Sequence, residues 1–212
     1  MANQFAGTLI VFEGLDGSGT TTQSHYLTQY LEEKGHSVTE VEEPGGTELG
    51  RKVRDLLLQD RGIRIEPLSE LLLYEVSRAQ LVREKIIPRL EAGEVIISDR
   101  FAISSVAYQG YGRGIPVDQV KTLNGIALDG VEPDVTFFLD IDLEERNRRT
   151  HGKKPDRIEK EAEDFYRKVR QGYLQEIRSA GNTVIIDGSK LKKDVKREVI
   201  SELTKMIDLK EM

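Results

Sequence analysis

Apolar residues in this chain fall into two patterns: short continuous runs, and longer stretches in which they recur three and four apart. Residues 8–13 are almost uninterruptedly apolar up to Glu13, which suits a strand buried on both faces of a parallel sheet. Residues 95–100, 134–140 and 183–187 read the same way, and 37–42 alternates towards a strand. Between them lie helical stretches. From 21 to 34, Tyr26, Leu27, Tyr30 and Leu31 recur at helical spacing and Gly35 supplies a stop. Val53, Leu56 and Leu57 mark a second helix. A long pattern over 67–92 places Leu71, Leu72, Val76, Ala79, Val82, Ile86 and Leu90 on one apolar side, with a kink expected at Pro88 and an end at Gly93. Further helices are predicted over 117–129, 162–179 and 195–207, and residues 144–163 are dense in charge. Strands alternating with helices predict an α/β fold, a five-stranded parallel sheet with helices on both faces and right-handed crossovers.

Composition narrows the functions such a fold could carry. With 212 residues, 38% hydrophobic and 32% charged, the chain can build one sizeable core, so residues 1–212 are read as a single domain. The net charge of -6 argues against nucleic acid as a partner, because that binding rests on phosphate neutralisation. Cysteine is absent, which removes disulfides, thiol nucleophiles and thiolate zinc sites, and three scattered histidines leave little for a transition-metal cage. Residues 1–5 carry no basic region followed by an apolar one, and no stretch is long and apolar enough to span a bilayer. The expectation is a soluble, untargeted, cytoplasmic protein with no membrane partner.

The chemistry concentrates after the first strand, in Glu13-Gly14-Leu15-Asp16-Gly17-Ser18-Gly19-Thr20-Thr21-Thr22. A phosphate-binding loop runs Gly, any four residues, Gly, Lys, then Ser or Thr. Gly14, Gly19 and Thr21 match it, but Thr20 stands where the lysine belongs. Strand, loop and helix follow in the order that lets loop N–H groups and a helix N-terminus converge on one anion. The bland alternative is a glycine-rich turn without ligand. Asp99 and Arg100 close another buried strand, so they should face the same crevice beyond the strand ends.

Several other segments complete a pattern. Glu43-Pro44-Gly45-Gly46-Thr47, Ser77-Arg78-Ala79-Gln80, Asp99-Arg100-Phe101, Ser104-Ser105 with Ala107-Tyr108-Gln109-Gly110, and Asp156-Arg157-Ile158-Glu159 follow the loop in order along nearly the whole chain. In this set the chain resembles thymidylate kinases, a family with the P-loop kinase fold. The resemblance implies phosphoryl transfer from ATP to dTMP, Mg2+ as cofactor and a homodimer. It implies ATP binding by Gly14, Leu15, Asp16, Gly17, Ser18, Gly19, Thr20, Thr21 and Thr22, with Thr21, Asp16 and Asp99 as oxygen donors to Mg2+. On the acceptor side it implies stacking of thymine on Tyr74, base contacts from Arg78, Ser105 and Gln109, deoxyribose selection by Tyr108, and a place for Ser104 among the substrate-binding residues. Glu43, Pro44, Arg54 and Arg100 would hold the acceptor phosphate, and Asp187-Gly188-Ser189 would lie against adenine.

The resemblance also implies a short mobile lid over about 146–158, and Ser18 leaves the phosphate loop without a cation of its own. Arg148, Arg149 and Arg157 are then candidates, with Asp16 and Arg100, for catalytic residues; Arg146 is read as a solvated helix charge. Two departures both remove positive charge: Thr20 replaces lysine, and Glu42 stands where the family often has arginine. Two other readings stay open, a kinase for a different nucleoside monophosphate and a nucleotide-binding module impaired at Thr20.

Overall fold

The computed structural model describes residues 5–59, 62–178 and 180–207; the expectations made for residues 1–4 and for the helix end at 179 lie outside them. Five parallel strands form one sheet in the order β2-β3-β1-β4-β5. They are β1 (Thr8–Gly14), β2 (Val38–Glu42), β3 (Val95–Asp99), β4 (Val135–Asp140) and β5 (Thr183–Asp187). Nine α-helical segments connect them among the described residues: α1 (Thr20–Glu33), α2 (Glu48–Leu58), α3 (Pro67–Leu81), α4 (Ile87–Glu91), α5 (Ala102–Ser105), α6 (Val117–Leu128), α7 (Leu143–Thr150), α8 (Glu163–Ile177) and α9 (Lys192–Met206).

Alternate residues of the central strands feed opposite faces, which is why these runs had to be apolar throughout. Ile10 and Phe12 of β1 pack with Leu27 and Leu31 of α1 and with Val195, Val199 and Leu203 of α9. Leu9 and Val11 turn the other way, against Leu81, Val82, Ile86 and Leu90. A third cluster joins Leu15 and Phe138 to Tyr108, Phe165, Tyr166, Val169 and Tyr173. Strand β1 lies between β3 and β4, and the strand order turns there, so the loop after β1 opens into the crevice where ligands of such sheets bind.

The long helix expected over 67–92 is three pieces. Helix α3 ends at Leu81, a π-helical turn spans Val82–Ile86, and α4 follows. Pro88 has no N–H, and its ring crowds the carbonyl one turn earlier, so the chain widens just before it; the Ile87 N–H reaches back to the Val82 carbonyl. Leu72 and Val76, expected on the apolar core side, are 43% and 45% exposed, whereas Leu71 is fully buried. The charged stretch 144–163 begins with a helix that hydrophobic spacing could not reveal. Asp142 caps it by accepting from the Glu145 N–H at 2.8 Å. Residues 102–112 form α5 and a second π-helical turn, Val106–Gly112. Helix α2 lies hard against the loop that follows β2: a Cβ on Gly50 would sit 2.2 Å from the Gly45 carbonyl oxygen. Only glycine allows that approach.

Candidate active site

The loop after β1 lines a cavity from Asp16 to Gly19. Gly17 and Gly19 take φ of 82° and 103°, a region that favours glycine, and Gly19 introduces α1 without a side-chain cap. The first N–H groups of α1 therefore face the cavity unpaired by any cap, with the positive end of the helix dipole behind them. A Cβ on Gly14 would meet the Ser18 Oγ at 2.4 Å and the Leu139 carbonyl at 2.9 Å, so the end of β1 is pressed between its own turn and the neighbouring strand β4.

One cavity of about 740 Å³ runs from this loop towards α3 and the 151–162 segment. All of the residues expected at the site line it except Gly14, Leu15, Arg157 and Asp187. Thr21 Oγ1 donates to Asp99 Oδ2 at 2.5 Å, while Asp99 Oδ1 is buried without a partner. Asp16 is fully engaged elsewhere: Oδ1 accepts from Arg100 Nη2 at 2.7 Å, and Oδ2 from the Tyr108 and Tyr166 hydroxyls, each at 3.3 Å. Arg100 has a positive φ of 72°, rare for a side chain of its size, and it also donates to the Gly14 carbonyl at 2.7 Å and the Tyr173 hydroxyl at 3.2 Å. Such strain persists where surrounding bonds over-determine it, and functional sites are where it collects.

The other end of the cavity is built on α3. Tyr74 and Arg78, one turn apart, both line it. Arg78 is 1% exposed and already saturated by protein: it bonds Glu43, Glu75, Ser105, Asn124 and the Phe101 carbonyl at 2.6 to 3.2 Å. Gln109 donates to Glu70 at 2.9 Å. Ser104 turns its hydroxyl to Glu13 at 2.5 Å. Arg54 Nη1 bonds the Pro44 carbonyl at 2.6 Å, in a turn with a cis Glu43-Pro44 bond, and lies 3.5 Å from Glu42. The departure at Glu42 thus sets a carboxylate against one of the cavity's arginines.

The three arginines expected in a lid take different positions. Arg148 is exposed and paired with Glu145. Arg149 reaches the phosphate loop: Nη1 donates to the Gly17 and Ser18 carbonyls at 3.1 and 3.3 Å, and Nη2 to Gly188 at 2.8 Å. Arg157 turns away to the Leu57 carbonyl and to Glu70. Arg146, expected in solvent, is 6% exposed with its guanidinium 3.3 Å from the centroid of the Tyr166 ring, a cation–π contact that a charge-rich sequence conceals.

Sequence reasoning missed Glu13, Glu70, Glu75, Asn124 and Tyr173. A carboxylate closing an apolar strand run was a usable signal for Glu13; the others sit at ordinary helical positions and carried none. Lys153 and Lys192 also line the cavity.

A glycine-rich loop between a central parallel strand and a helix, facing an acid and an arginine at the end of the neighbouring strand, defines a P-loop phosphotransferase. Comparison with known proteins makes this more specific. A family model described as thymidylate kinase matches residues 12–199. The thymidylate kinase of Thermosipho melanesiensis is 48% identical over 199 residues, 94% of this chain and 96% of that protein. That of Thermoanaerobacter pseudethanolicus is 45% identical over 202 residues, 95% and 99% of the two chains. The crystal structure of thymidylate kinase from Ehrlichia chaffeensis superposes with a TM-score of 0.75 at 36% identity, covering 93% of this chain and 98% of the other. The chain belongs to the thymidylate kinase family.

One guanidinium, Arg78, serves two buried carboxyls, Glu43 and Glu75. Burial pushes the Glu43 carboxyl up to about 7, against the opposing charge and hydrogen bond of Arg78. Its ordinary value is 4.5, so between these two values the folded chain holds a proton that the unfolded chain releases. The stability this contributes is present below 4.5 and is lost as pH rises through 7. In thermal melts, Glu43→Gln is expected to gain on the parent chain as pH rises across that window; a pH-independent difference would show that Glu43 ionises alike in both states.

Proposed function

We propose that the protein transfers the γ-phosphoryl group of ATP to the phosphate of dTMP, giving ADP and dTDP. The observation that carries this is one cavity joining the phosphate loop to a pocket walled by Tyr74, Ser105, Tyr108 and Gln109, in a chain of this family. An acceptor phosphate has a second pKa near 6, so it is largely dianionic at neutral pH and its oxygen is already a nucleophile. That oxygen bonds to the γ-phosphorus as the bond to the bridging oxygen of ADP breaks. No general base is needed; the demand is to bring two anions together and absorb charge on the leaving oxygen.

The backbone N–H groups of the loop and α1 hold the donor phosphates. Arg100, fixed by Asp16 and the Gly14 carbonyl, and Arg54, fixed by the Pro44 carbonyl, hold the acceptor phosphate. Tyr74 stacks on the base, Ser105 and Gln109 meet its edge, and Tyr108 crowds the space of a 2'-hydroxyl. Arg78 shapes this wall with donors already committed to protein. The Thr21 hydroxyl and the unpartnered Asp99 Oδ1 are hard oxygen donors of the kind Mg2+ takes, and fit it better than Asp16, whose oxygens are occupied. Bound Mg2+ would neutralise charge on the donor phosphates. Arg149 sets a positive charge against the loop from outside, the place from which it offsets the lysine missing at Thr20.

We also propose a homodimer through α2 and α3. Leu68, Leu72 and Val76 form an exposed stripe at i, i+4 and i+8 of α3, beside exposed Leu49 and Leu56 of α2. A contiguous apolar face of this kind is characteristic of an interface.

Three measurements test these proposals. A coupled ADP-release assay with ATP, Mg2+ and a panel of monophosphates should show turnover with dTMP; tight dTMP binding without turnover would leave a binding module, and preference for another monophosphate would change the substrate. Arg149→Ala should lower kcat by about 10²-fold, with Thr20→Lys restoring part of the loss in the double variant and Arg148→Ala having little effect. Sedimentation should give a dimer that Leu72→Glu converts to monomer.

A further inference from the structure

We infer that Glu70 sets the base preference of the acceptor pocket by fixing which end of the Gln109 amide faces the cavity. Glu70 lies in the first turn of α3, 1% exposed, behind the cavity wall. Its carboxylate accepts four hydrogen bonds. Oε1 takes Gln109 Nε2 at 2.9 Å and Arg113 Nε at 3.0 Å; Oε2 takes Arg113 Nη2 at 3.1 Å and Arg157 Nη2 at 2.7 Å. Burial opposes its ionisation, yet hydrogen bonds from Arg113 and Gln109 and the charges of Arg113 and Arg157 hold the carboxyl below its usual range.

An ionised carboxylate only accepts hydrogen bonds, so the amide end facing it must be the NH2 group. The other end, Gln109 Oε1, has no partner among the described residues and belongs to a side chain that lines the cavity. It is left as an acceptor that cannot donate. A pyrimidine carrying N3–H, such as thymine or uracil, supplies the matching donor. Cytosine presents N3 as an acceptor, and two acceptors then face each other without a proton. Such a mismatch leaves buried polar groups unpaired, which discriminates more strongly than shape. Glu70 does this through Gln109 and is a positioning residue. Arg113 and Arg157 support it by keeping the carboxylate charged, which gives Arg157 a task on the base side of the cleft, away from the phosphates.

The inference rests on the proposed base pocket, but it can be read without turnover. Dissociation constants for dTMP and dCMP are measured by titration calorimetry on the full chain, parent and variants. The parent is expected to prefer dTMP. Glu70→Gln, which can donate as well as accept and so lets the Gln109 amide turn over, should cut that preference by about tenfold. Glu70→Asp keeps a carboxylate for the arginines but withdraws it from Gln109; it should act in the same direction and serves if the first variant fails to fold. Adding Glu70→Gln to Gln109→Ala should change the preference no further. A preference unchanged in both Glu70 variants, with the two ligands weakening together, would overturn the inference, as would a parent that does not prefer dTMP. Failure of phosphoryl transfer alone would appear in the ADP assay and leave these binding ratios intact.

Discussion

Glu13 places a carboxyl with no solvent exposure at the end of the central strand, and the surrounding chain is arranged to supply its hydrogen bonds. The N–H groups of Phe101 and Ser104, the Ser104 hydroxyl and the Tyr173 hydroxyl all point at it, at 2.5 to 3.2 Å. A buried polar group left unpaired costs about 1–3 kcal/mol, and a charged one more, so these donors cannot be withdrawn cheaply. Meeting that demand bends the chain after β3 into the turn that carries Arg100 in its left-handed conformation. The same turn brings α8, through Tyr173, against the phosphate loop. The cost of the Arg100 backbone, about 1–3 kcal/mol, is offset by the hydrogen bonds that hold Arg100 and its neighbours in place.

Positive charge in this cleft is closely managed. Arg100 leans on Asp16, Arg54 is shared with Glu42, and Arg78 is divided between two glutamates. The cations are held in place by anions, which limits their freedom and weakens their net field. In the proposed reaction, with Thr20 at the usual lysine position, the burden falls on backbone dipoles and on Arg149. The loop geometry remains intact around the substitution, because glycine conformations and strand packing, not the lysine, shape it.

The sheet was legible because strands buried on both faces must be apolar almost without interruption, and β1, β3 and β4 are. The phosphate loop was legible because its glycines are required by backbone conformation at fixed spacing. Hydrophobic spacing failed where two demands share one helix: Leu71 faces the core, while Leu72 and Val76, equally apolar, face outward. It failed again over α7, whose sequence is nearly all charge. Charged residues announce themselves but not their partners. Arg148, Arg149 and Arg157 look alike in sequence, yet one is solvated, one grips the phosphate loop and one binds Glu70, and long-range packing decides which. The Gly50 contact, likewise, exists only once α2 has been laid against the loop after β2.

Arg157 has a further effect that follows from where it is bonded. Its N–H meets the Leu58 carbonyl at 2.9 Å and its Nε the Leu57 carbonyl at 2.6 Å, so a residue about a hundred positions downstream finishes the last turn of α2. The helix carries no basic side chain of its own there, and Arg157 supplies the cation that its negative end lacks. Displacing the segment around Arg157 would strip both bonds from the last two carbonyls of α2. The position of that segment and the integrity of the helix end are thereby coupled, although a hundred residues of sequence separate them.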